Sequence, residues 1–123
     1  LALDGKNGAA LNNLAYLLAE SNQADEALKY AQEAKELTPD SAFADDTLGW
    51  IYFRKGMYPM AVTYLESAVS KEGTARRKYH LAMAYLKAGD PKRGRQVLDA
   101  AIKMDPKLPE ADAARQLFGG VQQ

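Results

Sequence analysis

The stretch Thr47-Leu-Gly-Trp-Ile-Tyr52 contains the pattern that decides the fold: a leucine, a small residue and, three positions further on, a large side chain. The same pattern occurs thirty-four residues earlier as Leu14-Ala15-x-x-Leu18 and thirty-three residues later as Leu81-Ala82-x-x-Tyr85. Self-similarity at a fixed period of this length is typical of proteins in which each repeat is one supersecondary unit. Three copies in register therefore predict an array of repeats.

Two further positions keep the same period. A small residue follows each leucine by thirteen positions, and a helix-breaking residue closes each unit twenty-five positions after the leucine. These positions hold Ala27, Ala61 and Gly94, and then Pro39, Gly73 and Pro106. Apolar residues recur with the period of an amphipathic helix, and turn residues divide each unit in two. Each unit is thus predicted to be a hairpin of two helices.

Turn and capping residues set the predicted helix boundaries. Gly56 and Gly89 suit the left-handed position that follows a helix, and Asp90 before Pro91 is typical of an N-cap followed by proline at the first helical position. We predict no strand, and helices at residues 7–20, 24–37, 41–55, 58–71, 74–88, 91–104 and 109–118.

The pattern resembles the tetratricopeptide repeat, whose signature runs Trp-x2-Leu-Gly-x2-Tyr, then Ala-x3-Phe, then Ala, then Pro. Thr47 to Tyr52 carries the first part, and Ala27-Leu-Lys-Tyr-Ala31 with Ala61-Val-Thr-Tyr-Leu65 carries the second. The signature tryptophan is replaced by Leu11, Asp45 and Lys78. The resemblance implies an all-α fold: a right-handed α-solenoid of about three antiparallel helix hairpins with a C-terminal capping helix. It also implies a protein-binding scaffold.

The chain lacks an initiator methionine, and we interpret it as the C-terminal end of a larger bacterial protein. The segments Asp46–Ile51, Lys78–Ala82 and Pro109–Asp112 resemble bacterial envelope lipoproteins of exopolysaccharide and protein-sorting systems. That resemblance implies an envelope or periplasmic location for the parent, with the cytoplasm as the alternative. The expected layout is a truncated preceding repeat at 1–7, repeats at 8–41, 42–74 and 75–108, a capping helix at 109–118 and a frayed tail at 119–123.

The first helix of each hairpin lines the concave side of such an array. Residues two before and two after the opening leucine, extended by one turn, therefore form a candidate peptide groove. Its members are Asn12, Tyr16, Phe43, Asp46, Trp50, Phe53, Arg54, Arg76, Tyr79, Met83 and Lys87. Large aromatic side chains are common anchors of peptide recognition. Trp50 has two interpretations, as a groove residue or as a core residue.

Other classes of function are disfavoured by the composition. Sixteen basic residues balance sixteen acidic ones, so no global field favours nucleic acid or direct membrane contact by this chain. There is no cysteine, His80 is the only histidine, and no phosphate-binding loop is present. The carboxylate pairs Asp25-Glu26 and Asp45-Asp46 are interpreted as solvated faces and caps. We expect no enzyme activity, no metal and no cofactor.

Two functional hypotheses remain open. The first is an interaction module that binds a peptide or partner helix in the groove. The second is a structural cap of a longer array whose partner binds upstream, or self-association as a homodimer through the N-terminal face. The carboxylate clamp of the resembled family would fall at Asn12, Tyr16, Thr47, Arg76 and His80. Only Arg76 is chemically equivalent to the clamp residue, which argues against a chaperone-tail ligand.

Overall fold

A computed structural model describes the backbone of residues 2–119 and the side chains of residues 7–119. This part of the chain consists of helices joined by short turns and contains no strand, which confirms the predicted all-α fold. The helices are α1 Ala2–Glu20, α2 Ala24–Leu37, α3 Ala42–Arg54, α4 Tyr58–Lys71, α5 Ala75–Lys87, α6 Pro91–Met104 and α7 Ala111–Gly119. Among the residues described, no helix combines the length and apolar character needed to cross a membrane.

Most predicted boundaries are correct to within one residue, and the differences have local causes. Ser41 and Thr74 precede their helices because their side chains act as N-caps, accepting hydrogen bonds from the main-chain nitrogens of Ala44 and Arg77. The predicted start of α1 at residue 7 is wrong, because the helix continues without interruption through Gly5. A single glycine lowers helix stability without ending the helix.

The turn inside each hairpin has the same backbone geometry. Asn22, Gly56 and Gly89 occupy equivalent positions, and their φ angles are 61°, 78° and 92°. This left-handed conformation is open to glycine and, among the other residues, best tolerated by asparagine. The left-handed positions predicted for the two glycines are therefore confirmed. Asn22 performs the same role in the first hairpin.

Consecutive helices pair into three hairpins, α1 with α2, α3 with α4 and α5 with α6. The second helix of one hairpin also contacts the first helix of the next, so the hairpins stack. Each second helix buries residues at spacings of three or four, one stripe of an amphipathic helix. These buried residues are Ala27, Ala31 and Ala34 in α2, Ala61, Leu65 and Ala68 in α4, and Gly94, Leu98 and Ala101 in α6.

Gly49 sets the close approach of α3 and α4. A Cβ atom at this position would lie 2.5 Å from Cγ of Leu65 and 3.1 Å from the main-chain nitrogen of Leu65. Cβ atoms essentially never lie as close as 2.5 Å to another heavy atom, so the two helices could not cross at their present separation with a larger residue. A residue without a side chain is needed at position 49 for that reason.

Asp45 lies one turn before Gly49 on α3 and is buried. This corrects the interpretation of Asp45 as a solvated residue. Its side chain is 1% exposed, with Lys35 Nζ 2.8 Å from one carboxylate oxygen and Lys71 Nζ 2.7 Å from the other. Ser67 Oγ donates a third contact at 2.8 Å. Because these partners come from α2 and α4, the carboxylate joins the first two hairpins at the position where the repeat signature has tryptophan.

The outer face of α1 is exposed at Leu14, although Leu14 occupies the same repeat position as the buried Leu48 and Leu81. Leu14 is 41% exposed and Leu17 is 64% exposed, whereas the equivalent residues of α3, Leu48 and Ile51, are 2% and 0% exposed. The preceding helix α2 packs against α3, and no described helix occupies that place beside α1. We call the exposed face around Leu14 and Leu17 the α1 surface.

The last helix, α7, packs on α6 and on the apolar cluster that contains Trp50. Phe118 and Ala114 are buried there, while Leu117 is half-exposed. Gly94 leaves the space that Phe118 fills, since a Cβ at residue 94 would lie 2.8 Å from the Phe118 ring. Of the predicted frayed tail at 119–123, Gly119 is the last residue of α7, and residues 120–123 lie outside the described residues.

Candidate functional site

The first helices of the three hairpins lie side by side and form the face that is concave in stacked helical hairpins. A cavity of about 320 Å³ lies on this face and extends to the residue before α7; we call it the groove cavity. Five rings or thioethers, four charged groups and one imidazole line it. They are Tyr16, Trp50, Phe53, Tyr79, Met83, Glu20, Arg54, Arg76, Glu110 and His80.

Trp50 forms part of the wall of the groove cavity and is itself 7% exposed. Its ring stacks on Phe53, with centroids 4.5 Å apart and planes within 4°, and on His80 at 4.1 Å. Its indole Nε1 donates a hydrogen bond to Glu20 Oε2 at 3.3 Å. Both interpretations of this residue therefore hold in part, because Trp50 lines the groove while its ring is packed.

His80 is buried beneath the same wall. Its Nδ1 lies 2.9 Å from Asp46 Oδ1, and since a carboxylate can only accept, the imidazole donates from Nδ1. Asp46 is also buried, contrary to its interpretation as a solvated carboxylate. The pair ties α3 to α5 directly below the Trp50 ring and fixes the orientation of the imidazole.

Arg54 and Glu20 form a tight pair at one side of the groove cavity. Arg54 Nη2 donates to Glu20 Oε2 at 2.5 Å, and its guanidinium lies 5.9 Å from the centre of the Trp50 ring. Burial acts to raise the pKa of the Glu20 carboxyl, but the hydrogen bond and charge of Arg54 and the bond from Trp50 outweigh it and lower that pKa below its ordinary value.

Arg76 contacts two parts of the chain that are distant from it in sequence. Its Nη2 donates to the Tyr16 hydroxyl at 2.6 Å, and its Nη1 lies 3.7 Å from Glu110 Oε2. The hydrogen bond to Tyr16 raises the pKa of the guanidinium, with the charge of Glu110 acting in the same direction and burial acting against it. Tyr79 lies beside this group, and burial, followed by the negative charge of Glu110, raises the pKa of its hydroxyl.

A second cavity of about 210 Å³ adjoins the first, and Tyr16 and Arg76 line both. Its lining also includes Asn13, Phe43, Asp46, Thr74 and Arg77. Nine of the eleven predicted groove residues therefore line one of these two cavities. The contact between Tyr16 and Arg76 forms the boundary between them, so the concave face offers two adjacent compartments.

Two predicted groove residues lie elsewhere. Asn12 is buried where α1 meets the start of α3, and its Nδ2 donates to the main-chain oxygen of Phe43 at 3.2 Å. The Asn12 side chain therefore joins α1 to α3 and lines neither of these two cavities. Lys87, in the last turn of α5, is exposed and lines neither cavity.

Glu20 and Glu110 were missed by the sequence prediction. Glu20 lies thirty-four residues before Arg54, so extending the stripe of the first repeat by one position would have identified it. Glu110 precedes α7 and reaches the cavity only because that helix folds back on the third hairpin. No periodic pattern in the chain contains this residue.

Comparison with known proteins agrees with the repeat period. Two models of the tetratricopeptide repeat match the chain, one over residues 47–109 and 79–117 and the other over residues 8–38. A TPR repeat-containing protein of Pseudomonas aeruginosa is 35% identical over 72 residues, which is 58% of this chain. The match spans only 12% of that relative's length.

Solved structures share the fold. The O-GlcNAc transferase of Thermobaculum terrenum superposes with a TM-score of 0.87 over 94% of this chain and 22% of its own, at 24% identity, which is a likeness of fold alone. YrrB, described as a TPR protein with an unusual peptide-binding site, superposes with a TM-score of 0.74 at 29% identity, over 89% of this chain and 55% of its own.

Proposed function

The chain belongs to the tetratricopeptide repeat family, and from that premise we propose that it binds an extended peptide segment of a partner protein along its concave face. Proteins of this fold support protein–protein interaction in general. The peptide would cover the groove cavity and its neighbour, with an apolar side chain in the first compartment. The similarity to YrrB, a protein with a peptide-binding site, supports this choice of ligand.

The observation that carries the proposal is the composition of the groove cavity. Large rings and a thioether provide apolar area, and hydrogen bonds to Glu20 and Tyr16 hold Arg54 and Arg76 in position around them. Sites of this kind combine an apolar lining with a few placed polar groups. Rigid aromatic side chains also lose little conformational entropy when a ligand binds.

The test is selection of a displayed library of random peptides on the immobilised chain, followed by titration of the selected peptides while Trp50 fluorescence is recorded. Tyr16→Ala removes a side chain that lines both compartments and is expected to weaken binding about tenfold or more, the size of an interface anchor. Tyr64→Ala is the matched control, because Tyr64 is a half-buried tyrosine that lines a separate cavity with Pro59 and Met60.

If the library yields no binder, the proposal is wrong. It is also wrong if Tyr16→Ala and Tyr64→Ala weaken the selected peptides equally, because the binding surface would then lie outside the groove. Trp50→Ala is a poorer test than either variant, since truncation of this buried, stacked ring would disturb the core and the groove together.

A second function, self-association through the α1 surface, is favoured by one observation. Leu14 and Leu17 are exposed one turn apart on α1, and Leu14 lines a cavity of about 510 Å³ together with Leu11 and Leu37. Exposed apolar patches often mark interaction surfaces. Sedimentation velocity over a concentration series would test it: Leu17→Glu should give a monomer, while Leu117→Glu, an exposed leucine on α7, should behave as the unaltered chain. A chain that is monomeric at every concentration contradicts this function.

A further inference from the structure

The two arginines of the groove cavity differ in how firmly their own carboxylates hold them. Glu20 accepts from Arg54 at 2.5 Å and from Trp50 at 3.3 Å, so its charge is well paired. Glu110 lies 3.7 Å from Arg76, beyond hydrogen-bond range. Charge-assisted hydrogen bonds are much stronger than loose ion pairs of this kind. A competing acid would therefore displace Glu110 far more easily than Glu20.

Glu110 is poorly accommodated where it lies. Its Oε1 is shielded from solvent, and within the described part of the chain no donor lies within hydrogen-bond distance of that oxygen. A buried carboxylate oxygen without a partner is costly, because it has lost water and gained nothing in return. Release of Glu110 toward solvent would remove this cost. In the free protein, Glu110 therefore lies in the groove cavity with one carboxylate oxygen buried and without a hydrogen bond.

Arg76 is oriented for the same role by a different residue. The Tyr16 hydroxyl accepts from Nη2 at 2.6 Å, and the Tyr16 ring lies 5.8 Å from the guanidinium carbon. Tyr16 does not neutralise the charge, so the guanidinium stays positive and directed between the two compartments. The Arg76 side chain is 52% exposed, which leaves it accessible to a ligand.

From these contacts, and resting on the proposed function, we propose that Arg76 binds an aspartate or glutamate side chain of the peptide, and that Glu110 occupies this position in the free protein. The ligand is then an extended segment with an acidic residue next to an apolar one. The apolar side chain enters the groove cavity beside Tyr79 and Met83. The incoming carboxylate replaces Glu110 on Arg76, and Glu110 turns toward solvent.

Glu110→Gln is the informative variant, because it keeps the size of the side chain and removes the competing charge. The probe is a library of peptides with acetylated N-termini and amidated C-termini, in which every sequence is present in a glutamate and a glutamine version. Glu110→Gln is expected to strengthen binding of the glutamate versions about two- to fivefold, the range of a partly exposed ion pair, and to leave the glutamine versions unchanged. Arg76→Gln should abolish the preference for glutamate.

Two controls separate this site from general charge effects. Glu36→Gln removes one negative charge from an exposed position on α2 and should not change the preference. Glu20→Gln removes the carboxylate that pairs with Arg54. If this variant strengthens binding of the glutamate versions and Glu110→Gln does not, Arg54 rather than Arg76 binds the acidic side chain and the proposal is overturned. Peptides that bind with equal affinity in both versions, before and after Glu110→Gln, overturn the proposal while the proposed function stands. A library without any binder overturns both.

Discussion

Asp45 and Asp46 are adjacent in the chain and both are buried, yet they serve opposite sides of the array. Successive residues of an α-helix point about 100° apart, so two neighbours on a helix surrounded by other helices reach different interfaces. Asp45 faces α2 and α4, where Lys35 and Lys71 neutralise it. Asp46 faces α5 and the groove, where it pairs with His80. Asp45 joins the first hairpin to the second, and Asp46 joins the second to the third beneath the wall of the groove cavity.

The difference lies in the partners rather than in the depth of burial. Asp45 is in contact with two full positive charges, so its ionised form is favoured and the loss of that charge leaves two lysines without their partner. Asp46 only accepts a hydrogen bond from the His80 imidazole, and a neutral side chain at position 46 could accept the same bond. Substitutions on the Asp45 side should therefore reduce stability, and substitutions on the Asp46 side should alter the groove.

The largest effect is expected for Asp45→Asn. Removal of one member of a buried ion pair leaves uncompensated charge, and because both lysines are about one-third exposed we expect a loss of about 2–3 kcal/mol in the free energy of unfolding. Urea denaturation followed by circular dichroism measures it. Asp40→Asn, at an exposed position in the preceding turn, should change little. Equal losses for the two variants would refute the buried network.

The same contrast should depend on pH. Burial acts to raise the pKa of Asp45, but the hydrogen bonds from Lys35, Lys71 and Ser67 lower it below the ordinary value of 3.8. A pKa that is lower in the folded state contributes stability above the unfolded-state value, and that contribution is lost as the pH falls through the folded-state value. The melting temperatures of the unaltered chain and Asp45→Asn should thus differ at neutral pH and converge below pH 3.8. A constant difference would contradict this account.

Gly49→Ala tests packing on the Asp45 side of α3 without changing charge. The added methyl group would overlap Leu65, and overpacking of this kind costs about 1–3 kcal/mol, partly offset by the helix propensity of alanine of about 1 kcal/mol. A net loss of up to about 2 kcal/mol is expected in thermal or urea unfolding. Ala42→Gly, in the first turn of α3, is a useful comparison because it changes helix propensity without adding volume. A stabilised Gly49→Ala variant would show that α3 and α4 can separate freely.

The smallest effect on stability is expected for Asp46→Asn, about 0.5–1.5 kcal/mol, because asparagine can still accept from His80 Nδ1. Its effect should be seen instead in the emission of Trp50, whose ring stacks on the His80 imidazole. Fluorescence emission spectra of Asp46→Asn and of the unaltered chain, recorded where both are fully folded, provide the measurement. An unchanged spectrum together with a loss as large as that of Asp45→Asn would remove the distinction between the two sides.

The repeat architecture and most of the groove could be predicted from the sequence, because both follow from a period. Leu48 and Leu81 pack as their spacing requires, and Tyr16, Trp50 and Tyr79 reach the same face for the same reason. Leu14 shares the pattern and is nevertheless exposed, since a period specifies which face a residue occupies and not what covers that face. Burial of Asp45 depends on two lysines from other helices, which the local sequence does not reveal.

Two features of the groove depend on tertiary packing and could not be predicted from the repeat period. Glu110 lies in the connection to α7 and enters the groove through tertiary packing, which depends on how Phe118 fits against Gly94. The pairing of His80 with Asp46 likewise joins residues thirty-four positions apart on separate hairpins. The two residues occupy different positions of the repeat, and only the close approach of α3 and α5 brings them into contact.

The left-handed turn residues Asn22, Gly56 and Gly89 also bear on how hairpins could be added to the array or removed from it. All three hairpins reverse direction through the same left-handed conformation, at equivalent points between their two helices. A hairpin added or removed together with its own turn would keep this way of reversing the chain. Such a change would lengthen or shorten the concave face by one helix, so the number of hairpins would set the length of peptide that the proposed site can hold.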